Sequence, residues 1–143
     1  CQSNQVGALL AKLDGVHALT DVTGFGLAGH LMEMCRGSNL CAILDPAGIP
    51  ELPGLGDYIA QGCVPGGTQR NFDALENALP TLTLRGLAVL CDPQTSGGLL
   101  IAVSPDALSD VQKLLIKEAL PSAVLGSLAP NESGKSAIHL QAG

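Results

Sequence analysis

Aromatic and basic side chains are scarce in this sequence. Among 143 residues there is no Trp, one Tyr and two Phe, so stacking platforms for bases are nearly missing. Seven Lys and Arg face thirteen Asp and Glu, for a net charge of -6. A chain of that sign repels a polyanion, which argues against nucleic acid as a partner. Any phosphate bound here needs a cation beside it. No apolar run approaches the ~20 residues of a membrane span, and no basic, apolar and small-residue succession forms a secretory leader. The five cysteines, Cys1, Cys35, Cys41, Cys63 and Cys91, include no CxxC pair and no metal-ligand spacing. An odd number of such thiols fits a reduced, cytoplasmic protein, with most of them buried and inert. An initiating Met is also missing. The chain opens on Cys1-Gln2-Ser3 and goes straight into a helical pattern, as a piece of a longer protein would.

What is present is aliphatic. Hydrophobic residues make up 46% of the chain, and a core of Leu, Val, Ile and Ala is expected in one domain spanning residues 1–143. Val6, Leu9, Leu10 and Leu13 recur at helical spacing behind Ser3 as a cap. Val16 to Leu19 reads as extended. Leu27, Leu31, Met34 and Cys35 mark one face of a second helix that Gly37 closes, with Gly26, Gly29, His30 and Glu33 on the other. Leu40 to Leu44 is a strand, a Pro- and Gly-rich connection leads to a short helix near Asp57 to Gln61, and Phe72, Leu75 and Leu79 suggest another. Gly86 to Cys91 and Leu99 to Val103 read as strands, and Ser104-Pro105 as the cap and first turn of a helix buried through Leu108, Val111, Leu114 and Leu115. Ala123 to Leu128 and Ala137 to Gln141, around Asn131 to Lys135, suggest an antiparallel hairpin. The order predicts an α+β fold, a mixed and largely antiparallel sheet flanked by helices.

Within Thr20-Asp21-Val22-Thr23-Gly24-Phe25-Gly26-Leu27-Ala28-Gly29, the glycines fit a dinucleotide fingerprint, and Asp45 after Leu44 stands where a ribose-binding acid would be. The strand before them argues otherwise. Asp21 and Thr23 interrupt the apolar run of a central parallel strand, and an ionised Asp21 repels pyrophosphate unless a divalent cation lies between them. The residues leave two readings open: Asp21 or Thr23 caps the following helix, or the glycines form a close-packed turn that presents both. Asp45 beside Pro46 reads as a turn former. A second stretch, Asp92-Pro93-Gln94-Thr95-Ser96-Gly97-Gly98, either nests an anion in its backbone N–H groups or is a turn closed by its own side chains.

These two stretches, with Gln61-Gly62-Cys63-Val64-Pro65-Gly66-Gly67-Thr68-Gln69-Arg70-Asn71 between them, resemble the C-terminal domain of the selenophosphate synthetase (selenide, water dikinase) family, related in architecture to aminoimidazole ribonucleotide synthetase. The resemblance runs from about Asn4 to Leu140. It implies a parent enzyme that makes selenophosphate, AMP and orthophosphate from ATP, selenide and water with Mg2+, as a homodimer whose N-terminal domain supplies the nucleophilic Cys or selenocysteine, an essential Lys and most ATP contacts. It implies no catalytic residue in this chain, and an inactive fragment when isolated. Asp21 matches the family's magnesium ligand in its TDxTGxG motif. Thr20, Thr23 and Gly24 are expected to shape that ligand's loop, and Asp92, Gln94, Thr95, Ser96 and Gly97 to face substrate phosphate. A dinucleotide-binding oxidoreductase module and a sister ATP-dependent synthetase or kinase of the same architecture are the alternatives. Whether Asp45 ends a parallel strand beside the one leading to Gly24 separates the first of these.

Overall fold

The computed structural model describes residues 3–75, 78–132, 134 and 137–141. Ser3 opens the first helical stretch by accepting the Gln5 N–H. A 3-10 turn over Asn4–Val6 runs into α1 (Gly7–Leu10), which buries Val6 and Leu10. β1 (Val16–Asp21) pairs antiparallel with β3 (Leu99–Val103), Val16 opposite Val103 and Asp21 opposite Leu99. Alternate residues of a strand face opposite ways. Leu99, Ile101 and Val103 therefore pack with α1 and α6 (Leu108–Lys117) around Val6, Leu10, Val111 and Leu115. Leu100 instead joins the larger core, built on Leu27, Leu31, Met32 and Cys35 of α2 (Gly26–Ser38).

A second sheet has β2 (Leu40–Leu44) at its centre, with β4 (Gly126–Pro130) antiparallel on one side and β5 (Ile138–Leu140) parallel on the other. Gly126 is where β4 crosses closest to β2. A Cβ there would lie 2.0 Å from the Ile43 carbonyl oxygen, a distance no side chain tolerates. α3 (Leu55–Ala60), α4 (Gly67–Asp73) and α5 (Leu84–Cys91) follow β2 in the chain, with α5 packed on α2, α3 and α4. The expected α+β class is thus observed, with its strands divided between two sheets.

Local expectations fail where a competing partner exists. Gly86 to Cys91 is helical, not extended: Thr83 caps it by accepting the Gly86 N–H, and a short apolar run such as Leu87 to Cys91 cannot be told from a strand by period alone. The final two strands are present but form no hairpin, because β2 inserts between them. Their connection falls partly outside the described residues at Ser133, Lys135 and Ser136. Ser104 does not cap α6, since its hydroxyl meets His17 Nε2 at 2.6 Å and the helix starts at Leu108. α2 ends at Asn39, in the left-handed conformation at φ 53, beyond Gly37. Leu75 and Leu79 lie past the end of α4 yet are buried. Among the cysteines, Cys35, Cys41 and Cys91 are buried as expected, Cys63 is exposed, and Cys1 lies outside the described residues. Among the described residues no helix is long and apolar enough to cross a membrane.

Candidate functional site

The β1–β3 ladder continues past Asp21. The Val22 N–H donates to the Gly98 carbonyl at 2.9 Å, the Gly97 N–H returns to the Val22 carbonyl at 3.1 Å, and the Gln94 N–H donates to the Thr23 carbonyl at 3.0 Å. The two polar stretches that frame the sequence pattern are therefore one antiparallel unit. Close approach explains its glycines. A Cβ on Gly97 would sit 2.7 Å from the Val22 carbonyl oxygen, and one on Gly26, at φ +71, only 2.8 Å from the Cys91 carbonyl carbon. Gly24, by contrast, has open space where a Cβ would go. It stands at the exposed tip of the turn.

The third stretch joins the same unit. The Asn71 side-chain amide, on α4, donates at 2.9 Å to the carbonyls of both Gly24 and Cys91. Gly67 packs against Pro93, with a Cβ there 3.1 Å from the ring. All three stretches thus converge, although the sequence separates them widely.

Val22 turns into the core at 5% exposure, between an exposed Asp21 and a half-buried Thr23. Asp21 is exposed, and no described residue hydrogen-bonds or pairs with its carboxylate. Neither Asp21 nor Thr23 caps α2, whose N-terminus has no side-chain cap. The Thr23 hydroxyl is instead 3.0 Å from His30 Nε2, and His30 Nδ1 is 3.4 Å from Glu33 Oε2. Thr20 donates its hydroxyl to the Asp21 carbonyl. The capping reading of the motif is set aside by this geometry.

In the second stretch Asp92 is half-buried. Its Oδ2 accepts from Gln94 Nε2 at 3.0 Å while its Oδ1 is buried without a partner among the described residues, and burial pushes its carboxyl above the ordinary range. Thr95, Ser96 and Gly97 are exposed. The N–H groups of Gln94 and Gly97 are engaged by Thr23 and Val22. They are not free to form an anion nest, and the stretch acts first as a clamp on the Asp21 turn. Burial pushes the Cys91 thiol up to about 11, away from the thiolate form that nucleophilic chemistry uses.

The dinucleotide alternative fails its own criterion. β2, which ends before Asp45, lies in a different sheet from β1, and β1 pairs antiparallel with β3. Asp45 accepts the Ala47 N–H as the head of a turn. A shallow cleft of about 120 Å³ beside the turn, lined by Phe25, Met32, Glu33, Arg36 and Asn71, falls below the roughly 300 Å³ at which small-molecule sites begin.

A divalent cation fits this donor set as a shared ligand. Asp21 offers an unpaired, hard, anionic oxygen on an exposed turn, as magnesium prefers. Among the described residues no group of three His, Cys, Asp or Glu could hold a metal alone, so a cation held by Asp21 would need further oxygens from outside them. His30 and Asn71 are the participants that sequence reasoning passed over. Asn71 was visible only as the last residue of the third stretch, and His30 only as one polar residue on the small-residue face of α2.

Residues 3–139 match the family model of the AIR synthase related protein, C-terminal domain. The chain is 56% identical over 128 residues to selenide, water dikinase of Shewanella sp. (strain ANA-3), covering 90% of this chain and 36% of that protein. It is 49% identical over 140 residues to selenide, water dikinase of Yersinia pestis, covering 98% of this chain and 40% of that protein. The chain therefore spans well under half the length of these curated relatives. A match from Ser3 to His139 leaves only the extreme ends unaccounted for, and the chain belongs to the AIR synthase related family as its C-terminal domain.

Proposed function

We propose that this domain forms one wall of a selenide, water dikinase site, in a protein that converts ATP, selenide and water into selenophosphate, AMP and orthophosphate. The relatives' names support the activity. The observation that carries the domain's role is the unpaired Asp21 carboxylate at the end of β1, on a turn held by both other motifs. Bound with ATP, Mg2+ supplies screening of the polyphosphate and of charge on the transferring oxygens. Asp21 is the ligand this chain contributes. Thr20, Thr23 and Gly24 set the turn's shape, and the Asp92 to Gly97 stretch fixes it from the side, with Thr95 and Ser96 exposed at its tip. The thiol nucleophile, the lysine and most ATP contacts belong to the N-terminal domain of the parent. The parent works as a cytoplasmic homodimer, and the isolated chain is inactive.

The test is Asp21→Asn in the full-length parent. Asn keeps the size and most hydrogen bonding of Asp, so the melting temperature should be unchanged. ATP consumption and selenophosphate formation should fall by roughly a hundredfold or more, the scale of removing a principal electrostatic stabiliser. Full activity would refute the metal role, and a collapsed melting transition would make Asp21 structural first.

A further inference from the structure

The Thr23–His30–Glu33 chain of contacts has a direction. His30 is buried at 8% exposure, with its ring 5.8 Å from that of Phe25. Its Nδ1 faces the Glu33 carboxylate at 3.4 Å and its Nε2 faces the Thr23 hydroxyl at 3.0 Å. A carboxylate only accepts, so it favours the proton on Nδ1. In the neutral ring Nε2 is then an acceptor, and the Thr23 hydroxyl must donate to it. That spends the hydroxyl's one proton. Both oxygen lone pairs remain, two residues along the chain from Asp21, and packing holds the ring that orients them. A hydroxyl prepared this way repels other acceptors and suits a hard cation.

Resting on the magnesium reading above, we propose that His30 is a positioning residue. Held by Glu33, it turns the Thr23 oxygen outward as a second ligand, beside Asp21, for the divalent cation. Orientation of a ligand by a hydrogen-bonded neighbour is a common way of tuning metal affinity.

The test uses Mn2+ as a paramagnetic probe on the 15N-labelled full-length parent, where the shared site is complete, reading selective broadening of the Asp21 to Gly24 amides as Mn2+ is added. The wild type should broaden there first, and Asp21→Asn should not. Thr23→Val and His30→Phe should each raise the half-broadening concentration, on the order of tenfold. Thr23→Ser should keep the wild-type value. The Thr23→Val/His30→Phe double variant should be no weaker than either single, because the two act as one unit. Should His30→Phe lose the native spectrum, Glu33→Gln, an exposed change, takes its place with a smaller shift in the same direction. If Asp21→Asn abolishes broadening while Thr23→Val leaves it unchanged, this inference falls alone. Additive effects of Thr23 and His30 overturn the positioning role. No localised broadening in the wild type, or none lost in Asp21→Asn, overturns the metal reading together with it.

Discussion

The side chain of Asn71 donates to the carbonyl of Gly24 at 2.9 Å, across 47 residues of sequence. Its second bond, to Cys91, makes one amide the joint between the Asp21 turn and the end of α5. Asn71→Ala strands the part-buried Cys91 carbonyl, while water reaches the exposed Gly24 carbonyl, and should destabilise the chain by about 1–2 kcal/mol, within the ~1–3 kcal/mol cost of one unsatisfied buried group. Asn71→Asp, the same size but ionised and without a donor, should cost more. Urea denaturation of the three proteins checks the order. Equal stability of Asn71→Ala and wild type would mean that the joint carries no weight.

Two glycines of the same motif should respond oppositely to a single methyl group. Gly26→Ala meets the Cys91 and Asp92 backbone at a positive φ, and should lose about 2 kcal/mol or more. Gly24→Ala meets open space and should stay within roughly 0.5 kcal/mol of wild type. Thermal melts decide this. A Gly26→Ala protein as stable as wild type would contradict the close packing of the two stretches.

The buried thiols should make the fold sensitive to alkali. Burial raises Cys35 and Cys91 to about 11 from 9.0, with Cys41 adding to the shift at Cys35. The folded state keeps the neutral thiol while the unfolded chain ionises near 9, so the unfolded state binds fewer protons in between. Stability is then full below pH 9 and declines as pH rises from 9 to 11. Denaturation midpoints from pH 7 to 11 should show this decline, and it should shrink in a Cys35→Ala/Cys91→Ala protein measured against its own value at pH 7. At pH 8 a disulfide reagent should modify exposed Cys63 at once, and Cys35 and Cys91 only after unfolding.

Neither NADH nor FAD should bind. β1 has an antiparallel partner where a dinucleotide fold needs a parallel one, and Gly26 serves packing against Cys91. Titrating the chain into NADH and following the cofactor's own fluorescence should give no saturable change. A saturable one at moderate salt would restore the oxidoreductase reading.

The sequence disclosed short apolar runs between turn residues and helices with a clear period, and concealed what distant partners decide. β2 and β3 were legible as such runs, and α6 by its helical spacing. α5 was not: Leu84 to Cys91 is apolar almost throughout, and its identity rests on the Thr83 cap and on packing against α2 and α4. Ser104 offered good capping chemistry, but His17, 87 residues away, took the hydroxyl. In the candidate site, Asp21 stood out in the sequence as a carboxylate interrupting an apolar strand, and the fold leaves it exposed at the end of β1. The clamp formed by Asp92 to Gly98, the Asn71 joint and the His30 contact were not, since each is a hydrogen bond between segments that only the folded topology brings together.

β2 occupies the middle of its sheet while its neighbours come from the far end of the chain, Ala42 aligned with Leu128 on one side and Ile138 on the other. β1 likewise waits for β3, with Asp21 aligned to Leu99. A ribosome making this domain therefore releases two strands long before anything can zip onto them. Loop closure over such distances is slow, and unpaired apolar edges recruit other nascent chains. A stop before Gly126 would leave Leu40 to Leu44 with both edges open, so truncation products of this domain should appear as inclusion bodies, whereas translation through Leu140 delivers the strand that closes the sheet.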